Sequence, residues 1–190
     1  MVTIKSKFIG YFVIGDNVVF NLKTLSLLHQ MQVENPSQAK LLRKPIIIAS
    51  VAEAVLHDLF LRINHHTVEG VPNIDDDTLD DLRTKVVDKF ANYISISKSK
   101  ELLGGEDSIY DELDELRKLR NRVHIQNPKE HFEEKEYNAF TKERQVKAEK
   151  TLEKLLRIME SNYNRPLAHQ YVDDFILPWN SYFDSLSEQK

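Results

Sequence analysis

The residues best suited to chemistry lie in one short segment, Glu115–His124, which combines arginines with a histidine. The segment reads ELRKLRNRVH, and its apolar spacing predicts a helix over about 109–126. At about 100° per residue, Arg117, Arg120 and His124 lie on one side of that helix. Arginine binds phosphate in a forked geometry, and histidine exchanges protons near neutral pH. This side of the helix therefore carries groups that could bind a phosphate ester and move its protons.

The neighbours of these residues divide into two groups. Asn121 lies at the edge of the same side, whereas Lys118 and Arg122 point away from it and are expected to form a solvated basic surface. A purely structural explanation also fits, because arginines near a helix C-terminus suit the helix dipole. In that explanation, Glu53 of an earlier helix pairs with Arg120 inside a helical scaffold.

Composition limits the classes of protein and of site. The chain has 190 residues, a formal charge of −4 and no cysteine, which excludes disulfides, iron–sulfur clusters and a thiol nucleophile. An acidic chain is a poor general nucleic-acid binder, so any RNA site must be a local basic patch. The apolar run 8–14 is too short to span a membrane and has no cleavage site after it. We expect a cytoplasmic protein with no membrane contact.

The N-terminal region, 1–35, differs in pattern from the rest of the chain. Apolar residues alternate before and after Asp16-Asn17, which predicts a small β-hairpin with a tight turn. A short helix over about 22–32 follows. The alternative is that the whole stretch forms one extended, buried apolar arm.

The region 36–162 has the periodicity of a helical bundle. Four further helices are predicted, over about 41–63, 75–96, 106–126 and 138–161. Pro45 must lie near the start of the first of them or kink it, because proline disrupts a helix interior. The predicted fold is therefore an all-α bundle of four to five helices with a small N-terminal β-hairpin or extended arm. Residues 163–190 form an aromatic tail, predicted to be helical and to pack on the domain or on a partner.

Other polar clusters are weaker candidates for chemistry. His65-His66 ends a helix without a suitably spaced third metal ligand, and capping or surface exposure explains it better. The acidic run 75–81 suits a helix start and lacks the spacing of an EF-hand. The chain contains no glycine-rich phosphate loop. We therefore predict no metal and no cofactor.

The segment Leu116–His124 resembles the signature helix of HEPN domains (higher eukaryotes and prokaryotes nucleotide-binding), which are bundles of four to five helices. Members of that family carry an Arg, often followed by Asn, with about four to six residues before a His. Here Arg120-Asn121 is similar to that pair, with three residues before His124, whereas Arg117 has six residues before it. The resemblance covers roughly 38–162.

The resemblance implies an activity and a partner. Active HEPN proteins are typically metal-independent endoribonucleases that leave 2′,3′-cyclic phosphate and 5′-OH ends. On this basis the expected catalytic residues are Arg117, Arg120, Asn121 and His124. The resemblance also implies a homodimer through the 109–126 helix, with RNA as substrate and a toxin or defence role in which an antitoxin or other protein is a partner. A non-catalytic HEPN-like module for dimerisation or partner binding is the alternative.

Overall fold

A helical bundle accounts for most of the part of the chain that the structure describes. This computed structural model describes residues 1–66, 70–122, 138–166 and 172–183. The predicted all-α bundle with a small β element at the N-terminus is confirmed, although the strands do not lie where the sequence pattern placed them. Within the described ranges, no helix is both long and apolar enough to cross a membrane.

The central element is α2, Lys44–His65, which packs against α1, α5 and α6. Pro45 lies in its first turn, where the missing N–H removes no helical hydrogen bond. The helix is apolar on several sides, as expected of an element surrounded by others. Its fully buried apolar side chains are Ile48, Ala49, Val51, Ala52, Val55, Leu56, Leu59, Phe60 and Ile63.

The N-terminal region forms a helix where the hairpin was predicted. Residues Phe12–Glu34 make up α1, which includes Asp16-Asn17, so the hairpin prediction over 8–22 is wrong. The predicted short helix over 22–32 lies inside this longer one. α1 buries Val18, Leu22 and Leu25 against the bundle and exposes other apolar residues on its outer side. Apolar residues on two sides of one helix produced the alternation that resembled strands.

The small sheet joins the two ends of the described chain. Strand β1, Val2–Ile4, pairs antiparallel with β2, Phe175–Leu177, so that Val2 lies opposite Leu177. A short 3-10 turn, Ser6–Phe8, connects β1 towards α1, and a second one, Pro36–Leu42, precedes α2.

The predicted single helix over 75–96 is two helices. α3 spans Asp76–Arg83 and α4 spans Phe90–Ser99. Asp75 caps α3 by accepting a hydrogen bond from Thr78 N at 2.8 Å, which confirms the acidic helix start. The chain leaves the helix after Arg83, where the Thr84 hydroxyl donates to the Asp81 carbonyl at 2.7 Å and so competes with helical continuation.

The last two helices complete the bundle. α5 spans Asp107–Asn121 with Arg122 as its C-cap, and the rest of the predicted helix, 123–126, lies outside the described residues. α6 spans Lys142–Asn162, and the side chain of Thr141 caps it by accepting from Arg144 N.

The C-terminal tail packs on its own domain. The prediction of a helical tail is wrong for 172–183, because that range contains strand β2 and turns. Phe175, Leu177 and Trp179 are buried. Glu153, in the core face of α6, accepts hydrogen bonds from Trp179 Nε1 at 3.2 Å and from Ser181 Oγ at 2.8 Å. These contacts hold the tail against α6.

Candidate functional site

The start of α5 is fixed by the turn before it. Gly104 has a φ of +97°, a conformation that residues with a Cβ rarely adopt. The hydroxyl of Tyr110 accepts a hydrogen bond from Leu103 N at 3.0 Å and donates to Gly104 O at 2.8 Å. One buried side chain thus ties the turn to the first turns of α5.

The apolar side of α5 sets the direction of its polar residues. Ile109, Leu113 and Leu116 are buried, and α5 packs against α2, α4 and α6. Arg120 continues the same stripe one turn beyond Leu116, as the spacing predicted. Its guanidinium therefore reaches the edge of the interface with α2 rather than open solvent.

Arg120 is held by an acidic residue of the central helix. Its Nη1 forms an ion pair with Glu53 Oε2, and its guanidinium lies 5.9 Å from the centre of the Phe90 ring. The pair is only partly buried, since 33% of the Arg120 side chain and 25% of the Glu53 side chain are exposed. Arginine carries five N–H donors, so a guanidinium oriented by one carboxylate keeps donors for a second anion.

Arg117 is oriented within α5 itself. Its Nε donates to Asp114 Oδ1 at 2.7 Å, and Lys118 Nζ lies 2.8 Å from Asp114 Oδ2. Partial burial opposes ionisation of Asp114, but the hydrogen bonds from Lys118 and Arg117 outweigh it and hold the pKa of this carboxyl below its usual value. Asp114 is thus a charged anchor for both cations.

The remaining two residues of the predicted site lie at the end of α5. Asn121 is its half-buried last residue, and Arg122 follows as the C-cap. His124 lies outside the described residues. The structure therefore brings Arg117, Arg120 and Asn121 together in the last two turns of one helix, and the position of His124 relative to them stays a prediction.

A second basic surface lies on the other side of α5. Lys118 and Arg122 were predicted to form a solvated surface, but they are only half exposed and line a cavity of about 290 Å³ between α5 and α6. Arg144 and Lys147 of α6 add two more cations to its lining, and Glu112 and Glu115 supply its carboxylates. Lys147 Nζ is 2.7 Å from Glu115 Oε2. Among the lining residues that the structure describes, cations exceed carboxylates, which favours an anionic occupant.

Known proteins give no independent assignment. No protein-family model, curated protein or solved structure matches the chain. The chemistry of the site therefore has to be argued from its own residues. Among the side chains that the structure describes, no group of three or more His, Asp or Glu residues is placed to hold a metal ion.

Sequence reasoning missed two parts of this arrangement. The pairing of Asp114 with Arg117 and Lys118 could have been predicted from the sequence. Residues three and four apart meet on a helix surface, and the two cations follow Asp114 at those spacings. The cavity was harder to predict. Lys118 and Arg122 are four apart, and Arg144 and Lys147 are three apart, but nothing in the sequence states that α5 and α6 bring the two pairs together.

Proposed function

We propose that this chain is a HEPN-like, metal-independent endoribonuclease. The observation that carries the proposal is the Arg120–Glu53 ion pair. It holds a partly exposed guanidinium at the end of α5, four positions before His124, on the helix whose sequence resembles the HEPN signature. An arginine fixed in this way can bind a phosphate with little loss of side-chain entropy.

The proposed reaction is attack of an RNA 2′-OH on its own neighbouring phosphate. His124 removes the proton from the 2′-OH as its oxygen bonds to phosphorus. The bond from phosphorus to the 5′ oxygen breaks, and that oxygen takes up a proton to leave as a 5′-OH. Arg120 and Arg117 stabilise the charge that develops on the phosphate oxygens, and Asn121 orients the histidine or the phosphate. DNA lacks the attacking hydroxyl and would not be cut.

A homodimer through the 109–126 helix is part of the proposal. A two-fold axis beside α5 would place two copies of Arg117, Arg120 and His124 in one cleft, with one histidine as base and the other as acid. Cellular RNA as the substrate implies a cytoplasmic setting. A toxin or defence role, with an antitoxin as a protein partner, is the biological context that the family resemblance suggests.

The test is incubation of the full chain with a labelled structured RNA in the presence of EDTA. Wild type is expected to produce fragments with 2′,3′-cyclic phosphate ends. His124→Ala should lower the rate by about 100-fold or more, the usual contribution of an acid–base group. Arg120→Lys keeps the charge but loses the forked geometry, and should lower the rate as well. Lys85→Gln removes a cation, which lies in the connection between α3 and α4, from an exposed ion pair and is the matched control.

Two results would contradict the nuclease. One is the absence of cleavage across several RNAs by wild-type protein whose helical content and melting transition show that it is folded. The other is cleavage that the His124 and Arg120 variants retain in full, because the activity would then come from a contaminant or from another site.

The alternative, a non-catalytic HEPN-like module, is favoured by another aspect of the same contacts, which is that both arginines already have carboxylate partners. Glu53 pairs with Arg120 across two helices, and Asp114 pairs with Arg117. A cluster with this role would stabilise the bundle, by about 1 kcal/mol for a partly exposed pair. Glu53→Gln would then lower the melting temperature, and neither the wild type nor this variant would cleave RNA.

A further inference from the structure

The outer side of α1 is apolar and exposed over most of its length. The exposed fractions are 55% for Val13, 68% for Phe20, 62% for Leu27 and 50% for Met31. These residues are spaced by seven, seven and four, so they fall within about 40° of one another around the helix. We call these four residues the α1 stripe. Its spacing is that of a helix that packs along another helix.

The α1 stripe exposes more apolar surface than isolated side chains normally do. Its four side chains leave roughly 400 Å² open to solvent, and contiguous patches of a few hundred Å² typically mark interaction sites. Two copies, with the polar residues between and beside the stripe, would bury roughly 1,000 Å² in total, close to the lower limit for a specific interface. This area fits a weak, concentration-dependent dimer.

The charges beside the stripe are complementary to a second copy of themselves. Asp16 and Lys23 are exposed and lie on the same edge of the stripe. If two α1 helices meet antiparallel with Phe20 near the two-fold axis, Asp16 lies beside the partner's Lys23, and the same contact forms again on the other side of the axis. A parallel pair would instead place these charges against the opposite edge, which contains Asn21 and Leu28 and carries no charge.

We propose that the α1 stripe is a self-association surface on which two copies of this chain pair through antiparallel α1 helices. The opposite side of α1 is packed on α2, and α2 also packs against α5. The surface is therefore separate from the Arg120 site, and the inference does not depend on the nuclease. If α5 also pairs, the two interfaces together produce tetramers or longer assemblies.

The test is sedimentation velocity of the full chain over about 1 to 200 µM, a range that spans weak association. Wild type is expected to show one concentration-dependent association step, from monomer to dimer if α5 does not pair and from α5 dimer to tetramer if it does. Phe20→Glu places two carboxylates at the two-fold axis and should weaken this step roughly tenfold or more. Val86→Glu is the matched control, because Val86 is 92% exposed in the α3–α4 connection. The control should associate like wild type.

A charge exchange tests the antiparallel geometry. Asp16→Lys and Lys23→Asp should each weaken association, because each brings like charges together, and the double variant should restore it. A species that does not change with concentration, or a concentration-dependent step that Phe20→Glu leaves intact, overturns the proposal. Failure of the double variant to recover overturns the antiparallel arrangement. Arg120→Lys is expected to leave association through the α1 stripe unchanged. The sedimentation result therefore does not depend on whether the protein cleaves RNA.

Discussion

Two oppositely charged residues of α2 lie in the core and hold the start of α1. Asp58 and Arg62 are both fully buried. The Asp58 carboxylate accepts hydrogen bonds from Gly10 N at 2.8 Å and Tyr11 N at 2.9 Å, while Arg62 Nη1 donates to Phe8 O at 2.7 Å. Gly10 is required at this point, because a Cβ there would lie 2.3 Å from Cγ of Arg62. A charged pair thus replaces ordinary capping at a buried helix start.

The first prediction concerns the pH dependence that Asp58 imposes. Burial raises the pKa of Asp58 to about 6, although the hydrogen bonds from Gly10 and Tyr11 and the charges of Arg62 and His66 oppose the rise. Between about pH 4 and 6 the unfolded chain therefore binds fewer protons than the folded one, and stability falls as pH rises through this window. The loss is about 3 kcal/mol at most, since one pKa unit corresponds to 1.36 kcal/mol.

The substitution Asp58→Asn removes the titrating group that causes this pH dependence of stability. The variant should be less stable at pH 7, where the carboxylate accepts both hydrogen bonds and the NH2 group of an amide cannot accept the second one, but its stability should depend less on pH between 4 and 6. Urea unfolding of both proteins at several pH values gives the difference in free energy, in which all other titrating groups cancel. Identical pH profiles for the two proteins would contradict the raised pKa.

At the scale of elements, α1 depends on a glycine inside it. A Cβ at Gly15 would lie 2.5 Å from Cγ2 of Val172, a separation that real side chains do not tolerate. Alanine normally stabilises a helix interior by about 1 kcal/mol relative to glycine. Close packing against the C-terminal segment therefore outweighs helix propensity at this position.

The second prediction follows from that contact. Gly15→Ala should destabilise the fold by about 1 kcal/mol or more, because overpacking exceeds the propensity gain. In a Val172→Ala background the contacts at 2.5 and 2.7 Å are removed and only the Cβ contact at 3.1 Å remains, so the same substitution should destabilise the fold much less. A double-mutant cycle measured by thermal unfolding gives both values. An equal effect of Gly15→Ala in the two backgrounds would show that the two residues are not in contact.

The sequence predicted best those elements whose apolar residues lie on one side or that carry clear end signals. α5 and α6 have one buried side each, and α2 has Pro45 at its start, so their positions were readable to within a few residues. α1 was missed because it is apolar on both its inner and its outer side. The strand at Phe175–Leu177 was missed because its partner, Val2–Ile4, lies at the other end of the chain.

The candidate site was predictable to the extent that one helix determines it. The shared side of Arg117 and Arg120 follows from helical spacing, and the pairing of Arg120 with Glu53 agrees with the structural alternative drawn from the sequence. The cavity between α5 and α6 depends on how these two helices pack against each other. The spacing of residues within each helix carries no information about that packing. His124 stays a prediction of the sequence alone.

At the scale of the whole molecule, the small sheet closes the fold. β1 and β2 join the first residues of the chain to a segment that follows the last helix. Lys5 Nζ lies 2.7 Å from Asp174 Oδ2, which extends the contact beyond the strands. Phe8 and Phe175 pack edge to face beneath it, with ring centres 5.7 Å apart. Opposite ends of the sequence therefore share one small piece of core.

The third prediction uses this register. Thr3 lies opposite Ile176 on the exposed side of the sheet, and the chain has no cysteine that could form a competing disulfide. Thr3→Cys combined with Ile176→Cys should form a disulfide that stabilises the fold by about 4 kcal/mol, because it closes a very long loop in the unfolded state. The melting temperature should rise on oxidation and return on reduction, and Thr3→Cys alone is the control. Equal melting temperatures for the two redox states would contradict the register or show strain in the bond.

The same sheet has a consequence during synthesis. Lys5 and Asp174 are 169 residues apart in sequence, so the first strand cannot find its partner until nearly all of the described chain has left the ribosome. At about 5–20 residues per second, that delay is on the order of ten seconds or more. During this delay, Val2, Ile4 and Phe8 lack the C-terminal residues that pack against them, although all three are buried in the finished fold.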